Sequence, residues 1–506
     1  MHIFVTDGKR KEKINTKEGQ TILQALLEHG ITVLKTPCGG RGKCGKCTVT
    51  VLGEGEVTAC TQKVRDGMQV VLPKAFSEGE SAVIVEAGST FHYRTDGEST
   101  LLAACDIGTT TIVCHLLEGA SGKKLATVSE PNAHRSYGAD VLSRIQAAEN
   151  GGLLRLHEQM TAQIARMLGE LLQEVGERGP VARLAVAGNT VMCHLLAGVS
   201  PARIAVPPFM PEMCFGTEYA GEAIGLPVCK TVYIAPAVSG YVGPDITCAL
   251  LASVSGQEQK ETLLLDIGTN GEMVLGHAGS YLCCAAAAGP AFEGAEITMG
   301  MPAEKGAISH VRLDARRIRT EVIAADKPEG ICGSGLIDAL SVLLRMGLVE
   351  STGLLKEAES VSVAYRKYLG EYKGERCVWL TPEVCLTQGD IRNLQLAKAA
   401  VAAGIQILMK ERGITCEKIE RVVLAGGFGS YLDRESAAVI GLIPRELADV
   451  TEPVGNAAGE GAVSAAVSKE ARKKLKDLKS CMQNLELSTH PDFSEYYLQQ
   501  MEFGSG

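Results

Sequence analysis

The chain has 506 residues, with 50 basic against 59 acidic side chains and a formal net charge of −9. That balance offers nucleic acid no general attraction, and an aromatic content of 4% is low for a protein that stacks bases. No run of 18 apolar residues occurs and the start, MHIFVTDGKRKEKI, lacks a signal-peptide apolar region, so no membrane contact and a cytoplasmic location are expected.

A hydrophobic fraction of 45% suits a globular core, and the length suggests two to four domains. Glycine is abundant, at 57 residues against a usual share of about 7%. There are 17 cysteines, which in a cytoplasmic chain are thiols or metal ligands rather than a disulfide framework.

Residues 1–73 read as a compact α/β unit. Two apolar–polar stretches flank Asp7-Gly8, a hairpin signal. Thr21 to Gly30 predicts a short helix with Ile22, Leu23, Leu26 and Leu27 on its apolar face. The loop TPCGGRGKCGKC follows, then CTVTVLG and MQVVLP as strands, the order of a β-grasp fold.

The loop carries a Cys-x5-Cys-x2-Cys pattern, Cys38, Cys44 and Cys47, with Cys60 thirteen residues on. Three thiolates on one tight loop can surround a compact iron–sulfur cluster. Gly39, Gly40, Gly42 and Gly45 allow positive φ and bring backbone N–H groups close to inorganic sulfides, while Arg41, Lys43 and Lys46 offset negative charge. The spacing resembles 2Fe-2S ferredoxins of the plant or adrenodoxin type, one residue longer than the plant spacing and with a shorter gap to the fourth Cys. The alternative is structural zinc, which favours paired Cys-x2-Cys knuckles, and only one such pair exists here.

Residues 74–100 are polar, Gly- and Ser-rich, with one apolar run at Ala82 to Val85, and read as a linker that lets the first module move. Two segments after it are alike: LLAACDIGTTTIVCH from Leu101 and TLLLDIGTNGEMVLG from Thr262. Each is an apolar strand, Asp-Ile-Gly-Thr, and a second strand, and Asp106 and Asp266 lie 160 residues apart. A Gly turn between strands presents N–H groups to a phosphate, and an Asp at the strand end can hold Mg²⁺. A third turn, Gly426-Gly427-Phe428-Gly429, follows the apolar strand RVVLA.

This order resembles the actin, chaperone and sugar-kinase superfamily. The resemblance implies two ribonuclease-H-like lobes, 101–260 and 261–506 with a C-terminal extension, with ATP and Mg²⁺ in the cleft. LAVAGNT (184–190) and 232–246 would complete the first lobe, with a helix over 153–174, and 391–413 reads as a long helix of the second.

The pairing of a 2Fe-2S module with this ATPase core is specific. Together with YGADVLSRI (137–145), GNTVMCHLLAG (188–198), DIGTNGE (266–272), AAGPAFEGA (287–295), ICGSGLIDAL (331–340), TQGDIRNLQLAKAA (387–400) and LAGGFGSYLD (424–433), it resembles the reductive activators of corrinoid proteins over nearly the whole chain. Larger members carry an additional middle domain between ferredoxin and ATPase, where this chain has only 74–100.

The resemblance implies one-electron return of inactive Co(II) corrinoid to Co(I) through the 2Fe-2S cluster at the expense of ATP, with a corrinoid protein of a methyltransferase system and a low-potential electron donor as partners, and a homodimer. It implies Cys38, Cys44, Cys47 and Cys60 as cluster ligands. Asp106 and Asp266 would organise Mg²⁺ and the attacking water, and Glu272 would orient that water. Gly108, Thr109, Thr110, Gly268, Thr269 and Asn270 would cradle phosphates, with Glu293, Gly426, Gly427 and Phe428 toward the nucleoside. Cys105, Cys114, Cys283, Cys284 and Cys332 read as small buried residues, His134, His194 and His310 have no ligand-like spacing, and the Lys-rich run 471–479 reads as a solvated helix face.

Three rivals stand beside this reading. An activator of 2-hydroxyacyl-CoA dehydratases would hold a 4Fe-4S cluster between two ATPase subunits, whereas these cysteines cluster in a separate module. A small-molecule kinase with an appended ferredoxin would phosphorylate without electron transfer. An electron-carrying adaptor with a dead ATPase core would not keep Asp106 and Asp266.

Overall fold

In a computed structural model, the described residues are 1–6, 11–29, 31, 34, 36, 40, 42, 45–73, 94–138, 140–429 and 431–504. Cys38, Cys44, the Asp7-Gly8 turn, the Ala82–Val85 run and the Phe428 side chain lie outside them.

The first unit contains β1 (His2–Thr6), β2 (Lys11–Asn15), α1 (Ile22–Glu28), β3 (Thr48–Val51), β4 (Gly55–Thr58) and β5 (Gln69–Val71). Its sheet runs β2-β1-β5-β3-β4, with β1 and β5 parallel and the other neighbours antiparallel. Helix α1 starts where the Thr21 hydroxyl accepts the Gln24 N–H and the Gln24 side chain returns the bond to Thr21, a capping box. Ile22, Leu23 and Leu26 then pack with Ile3, Val5, Val49 and Val70 in this unit's own core.

The rest of the chain repeats one architecture. The first copy holds β6 (Leu101–Ile107), β7 (Thr111–Glu118), β8 (Lys124–Pro131), α2 (Val141–Ala147), α3 (Leu153–Glu174), β9 (Val181–Gly188), α4 (Thr190–Leu196), β10 (Thr217–Ala220), β11 (Cys229–Ile234) and α5 (Pro244–Val254). Its sheet order is β10-β11-β9-β6-β7-β8. The second copy opens with β12 (Thr262–Ile267), β13 (Gly271–His277) and β14 (Ser280–Ala286).

An excursion follows: β15 (Ala307–Asp314), β16 (Arg317–Val322), β17 (Gly330–Ile331), α6 (Gly333–Arg345), β18 (Leu369–Tyr372), β19 (Glu375–Trp379) and β20 (Cys385–Thr387). The chain returns through α7 (Gln388–Arg412), β21 (Arg421–Ala425), the single turn α8 (Gly426–Gly429), α9 (Arg434–Val439), β22 (Thr451–Gly455), α10 (Ala457–Val467), α11 (Lys469–Cys481), β23 (Met482–Asn484) and α12 (Phe493–Gln499). This sheet runs β22-β21-β12-β13-β14-β23.

The two sheets share connectivity and register. In each, the first three strands form an antiparallel meander and the first strand also pairs in parallel with a later one. Asp106 lies opposite Ala187 of β9, and Asp266 opposite Ala425 of β21, each just before a glycine. Fold duplication thus places both aspartates at equivalent strand ends, facing one cleft.

Helices α5 and α10 join the halves. Their core includes Ile246, Cys248, Leu250, Ala462, Val463 and Ala466, together with Leu102 of the first sheet and Leu264 of the second. The approach is close enough that a Cβ on Gly461 would lie 2.1 Å from the Cys248 carbonyl oxygen. The sequence-predicted helix at 153–174 is α3, and that at 391–413 is α7 with Gly413 as a left-handed cap. At the end of the expected linker, Asp96 N–H donates to Val467 O (2.9 Å) and its carboxylate accepts Lys469 N–H (2.8 Å), so 94–100 is tied to α10 and α11.

Candidate functional site: a carboxylate-lined cleft beside a cysteine loop

Each Asp-Ile-Gly-Thr turn closes on itself. Gly108 N–H donates to Thr111 O (2.9 Å) and Gly268 N–H to Asn270 O (3.0 Å). A Cβ on Gly108 would meet Thr111 O at 2.8 Å, so a side chain there would open the turn.

Two buried groups brace the first turn from behind. The Asn132 amide donates to Gly108 O at 2.8 Å. The Arg144 guanidinium, fully buried, bonds to Thr109 O and Gly138 O. Burial pushes Arg144 down to about 9, against the pull of Glu293 and Asp140.

Four acidic side chains share the cleft floor. Burial raises Asp106 to about 6, opposed by a hydrogen bond from Asn456 at the start of α10. Burial, then the charges of Asp106 and Glu293, raise Asp266 to about 7. Burial and the Asp266 charge raise Asp245, at the start of α5, to about 8. Glu272, opposite Asp266 on β13, is buried and held well above the usual carboxylate range by burial and by Asp245 and Asp266. Burial and crowding keep part of this cluster protonated, and a bound cation would draw it into the charged form.

Among the described residues, no three His, Cys, Asp or Glu converge into a ready metal-binding set. Mg²⁺ needs none, since it is held by one or two carboxylates completed by water and phosphate oxygens. The residues present therefore fit Mg²⁺ brought with a nucleotide.

Glu293, read from its motif as a nucleoside-side residue, stands between the two Asp-Ile-Gly-Thr turns. Its carboxylate accepts the Thr269 N–H (2.8 Å), the Thr269 hydroxyl (2.6 Å) and the Thr110 hydroxyl (2.7 Å). Sequence alone placed it only by its motif. Gly426 has φ 83° and stands against Asp266, where a Cβ would lie 2.5 Å from Oδ1, whereas Gly427 faces open space. Beyond this turn lies a cavity of about 650 Å³ lined by His310, Arg312, Asp338, Arg345, Tyr431 and Asp433.

The sequence reading missed Asp245, Asn456, Asn132 and Arg144 as cleft residues. Arg144 sits in the YGADVLSRI segment, but only the fold turns it onto Thr109. Asp245 in VGPDI lies in the first turn of a helix and Asn456 in VGNAAGEGA caps one, the one signal that marks them.

Cys47, Cys60 and the described residues around them lie beside this cleft. Cys47 and Cys60 are buried at one end of the β3–β4 hairpin, where Ala59 N–H donates to Cys47 O at 2.8 Å. Gly40, Gly42 and Gly45 all take positive φ, and a Cβ on Gly40 would lie 3.7 Å from Cys60 Cβ. This bare backbone packed against a buried cysteine fits the close wrap an iron–sulfur cluster needs. The loop also touches both lobes. The buried Thr36 hydroxyl bonds to Ser136 O (2.8 Å) and Arg135 O (3.2 Å), and Lys46 Nζ donates to Ala295 O (3.1 Å).

His134 and His194 are buried, whereas His310 is half-buried in the wall of the cavity beyond the Gly426 turn. His134 bonds Leu156 O (2.8 Å), His194 bonds Thr190 O (2.8 Å) and His310 bonds Asp338 (2.9 Å). Cys105 and Cys114 face each other across β6 and β7 in the core. Along 471–479, Ala471, Arg472 and Leu475 are buried while the lysines face outward or sit part-exposed.

Three family models match the chain: a 2Fe-2S iron-sulfur cluster binding domain over 4–74, the RACo middle region over 101–256, and the C-terminal domain of RACo, the ASKHA domain, over 260–505. The chain is 28% identical to the corrinoid activation enzyme RamQ of Eubacterium limosum, covering 98% of each chain. It is 25% identical to a reductase of Methanosarcina barkeri named for a Co(II) methylated amine-specific corrinoid protein, over 79% of this chain and 76% of that one. A solved reductive activator for corrinoid,iron-sulfur protein superposes with a TM-score of 0.72 at 26% identity, covering 99% and 98% of the two chains.

Fold and cleft together define an ASKHA-type ATPase fused to an N-terminal 2Fe-2S domain, a protein that takes an iron–sulfur cluster and ATP. Among such proteins, this chain belongs to the RACo family, the reductive activators of corrinoid proteins. The middle region of that family is present after all: it matches 101–256, the stretch read above as the first ATPase lobe, rather than an extra domain before it.

Proposed function

We propose that this protein carries out ATP-dependent one-electron reduction of Co(II) to Co(I) in a corrinoid protein of a methyltransferase system. The observation that carries the reading is the contact between a duplicated phosphate cleft and a cysteine-loop module within one RACo-family chain.

Asp106 and Asp266 would organise Mg²⁺ and the attacking water, with Glu272, beside Asp266 on the neighbouring strand, and Asp245 holding that water's position and proton. Gly108, Thr109, Thr110, Gly268, Thr269 and Asn270 present N–H and hydroxyl donors to the phosphates. The nucleoside lies over Gly426, Gly427 and Phe428, with its base toward the Tyr431 cavity. Cys38, Cys44, Cys47 and Cys60 hold the 2Fe-2S cluster, which supplies a one-electron carrier at a potential of about −400 mV for the plant type. The protein works in the cytoplasm as a homodimer, re-reduced by a low-potential donor.

ATP is needed because Co(I) lies lower in potential than such a carrier. A gap on the order of 150 mV is about 2.5 decades, or about 3.5 kcal/mol. ATP binding or hydrolysis offsets that only if its states bind the corrinoid partner differently, for example by favouring loss of a cobalt ligand.

The test is anaerobic: reduced protein is mixed with Co(II) corrinoid proteins, with and without ATP, and Co(I) absorbance is followed. Co(I) should appear with ATP, Asp266→Ala should remove the ATP effect, and Cys44→Ala should abolish transfer. Normal cluster reduction with no Co(I) from any corrinoid partner would overturn the reading. Full ATP response in the Asp266 variant would overturn the cleft assignment.

A further inference from the structure

Glu293 ties the two halves of the cleft together. Oε1 takes the Thr269 N–H and hydroxyl, and Oε2 takes the Thr110 hydroxyl, so one carboxylate spans a turn from each lobe. A backbone N–H flanked by threonine hydroxyls is the donor set a phosphate oxygen uses. Glu293 therefore has the charge and contacts of an internal phosphate mimic. A carboxylate and a phosphate cannot share these donors, because two anions at contact distance repel.

The segment beyond it reaches the cysteine loop. Glu293 ends a short turn, Pro290–Glu293, and Gly294 follows at φ 73°, where glycine lets the backbone change course. Ala295 O then accepts Lys46 Nζ, next to Cys47. On the other lobe Thr36 is held by Arg135 and Ser136 in the turn after Asn132, the residue that braces Gly108. Among the described residues, Thr36 and Lys46 thus anchor the cysteine-loop module within a few residues of groups that shape the two Asp-Ile-Gly-Thr turns.

We propose that Glu293 is a latch that couples nucleotide to the cysteine-loop module. It occupies the phosphate donors until ATP displaces it, and its displacement carries Ala295 away from Lys46 and loosens the module from the ATPase core. Only hydrogen bonds are exchanged. This rests on the ATP reading above and adds its regulation.

Anaerobic, cluster-loaded protein is titrated calorimetrically with a non-hydrolysable ATP analogue, in EDTA and in Mg²⁺, as wild type, Glu293→Gln and Lys46→Met. Hydrogen exchange is followed over residues 36–48 and 133–137. Losing the Glu293 charge weakens the bonds it makes, so Glu293→Gln should bind the analogue about tenfold tighter even in EDTA. By reciprocity Lys46→Met should also bind tighter, and its loop should exchange faster before any analogue is added. In wild type the analogue should speed exchange of that loop.

Weaker binding by Glu293→Gln only in Mg²⁺ would make Glu293 a metal ligand and overturn the latch. An unchanged loop in wild type on analogue binding would overturn the coupling, and Lys46→Met reports on it even if Glu293→Gln fails to fold. Wild-type protein that binds no analogue at all would instead sink the ATP site itself, and the latch with it.

Discussion

At the residue scale, the cleft depends on which acids face one another, and that was only half legible in the chain. Asp106 and Asp266 stood out because one motif occurs twice, and two copies in register are hard to obtain by chance. Asp245 carries no repeat and sits in an ordinary helix start, yet the fold sets it against Asp266. We predict that Asp245→Asn lowers the ATP-dependent rate of Co(I) formation by about 100-fold, the scale of a lost proton-handling group. Analogue binding should change only a few-fold. Equal activity of Asp245→Asn and wild type would remove Asp245 from the site. Glu293 shows the reverse case: its motif marked it as important, but its place between the two Asp-Ile-Gly-Thr turns was a matter of three hydrogen bonds.

At the element scale, helical periodicity and caps were readable, and the crossings between helices were not. Helix α7 was visible from its apolar spacing and its Gly413 stop. Nothing in its sequence showed that Lys398 would be fully buried beneath the C-terminal tail, its Nζ donating to Glu502 O at 2.6 Å, with Phe503 beside it. Burial pushes Lys398 down to about 8, against the pull of Glu502. Between pH 8 and the unfolded value of 10.5 the unfolded chain therefore holds more protons, and stability from this residue rises with pH. Below pH 8 the buried charge costs the fold at most about 3 kcal/mol. Urea unfolding of wild type and Lys398→Met at pH 7 and pH 9.5 checks this: the variant's stability relative to wild type should fall as pH rises. A difference independent of pH would refute it.

The crossing of α5 and α10 makes the second element-scale prediction. Gly461→Ala would drive a Cβ into the Cys248 backbone, so it should cost about 2–3 kcal/mol. It should also blunt the ATP effect, although Gly461 is no part of the phosphate turns, because Asn456 on the same helix start holds Asp106. A variant with wild-type melting temperature and full ATP response would show that the crossing tolerates a side chain.

At the scale of the whole molecule, described residues flanking the cysteine loop reach both lobes by hydrogen bonds to backbone carbonyls. Thr36 and Lys46 lie within two residues of Cys38 and Cys47 in sequence, and their partners lie 99 or more residues away. No periodicity reports a contact of that range. Thr36→Val combined with Lys46→Met should leave the cluster's absorbance unchanged while making the junction at 74–93 more open to limited proteolysis in the absence of nucleotide. Identical cleavage rates in the variant and wild type would show that these two bonds do not hold the module.

By itself the sequence determined the parts: a cysteine loop with glycines at the positions that need positive φ, two Asp-Ile-Gly-Thr turns, and the helices whose apolar spacing and caps are local properties. These are legible because each is dictated by neighbours a few residues away. Only the tertiary structure decided that Asp245 and Asn456 join the two aspartates, that Glu293 bridges the lobes, and that the cysteine loop rests on both of them. Those outcomes depend on which distant surfaces pack, and packing is settled by shape and desolvation summed over the whole core rather than by any local pattern.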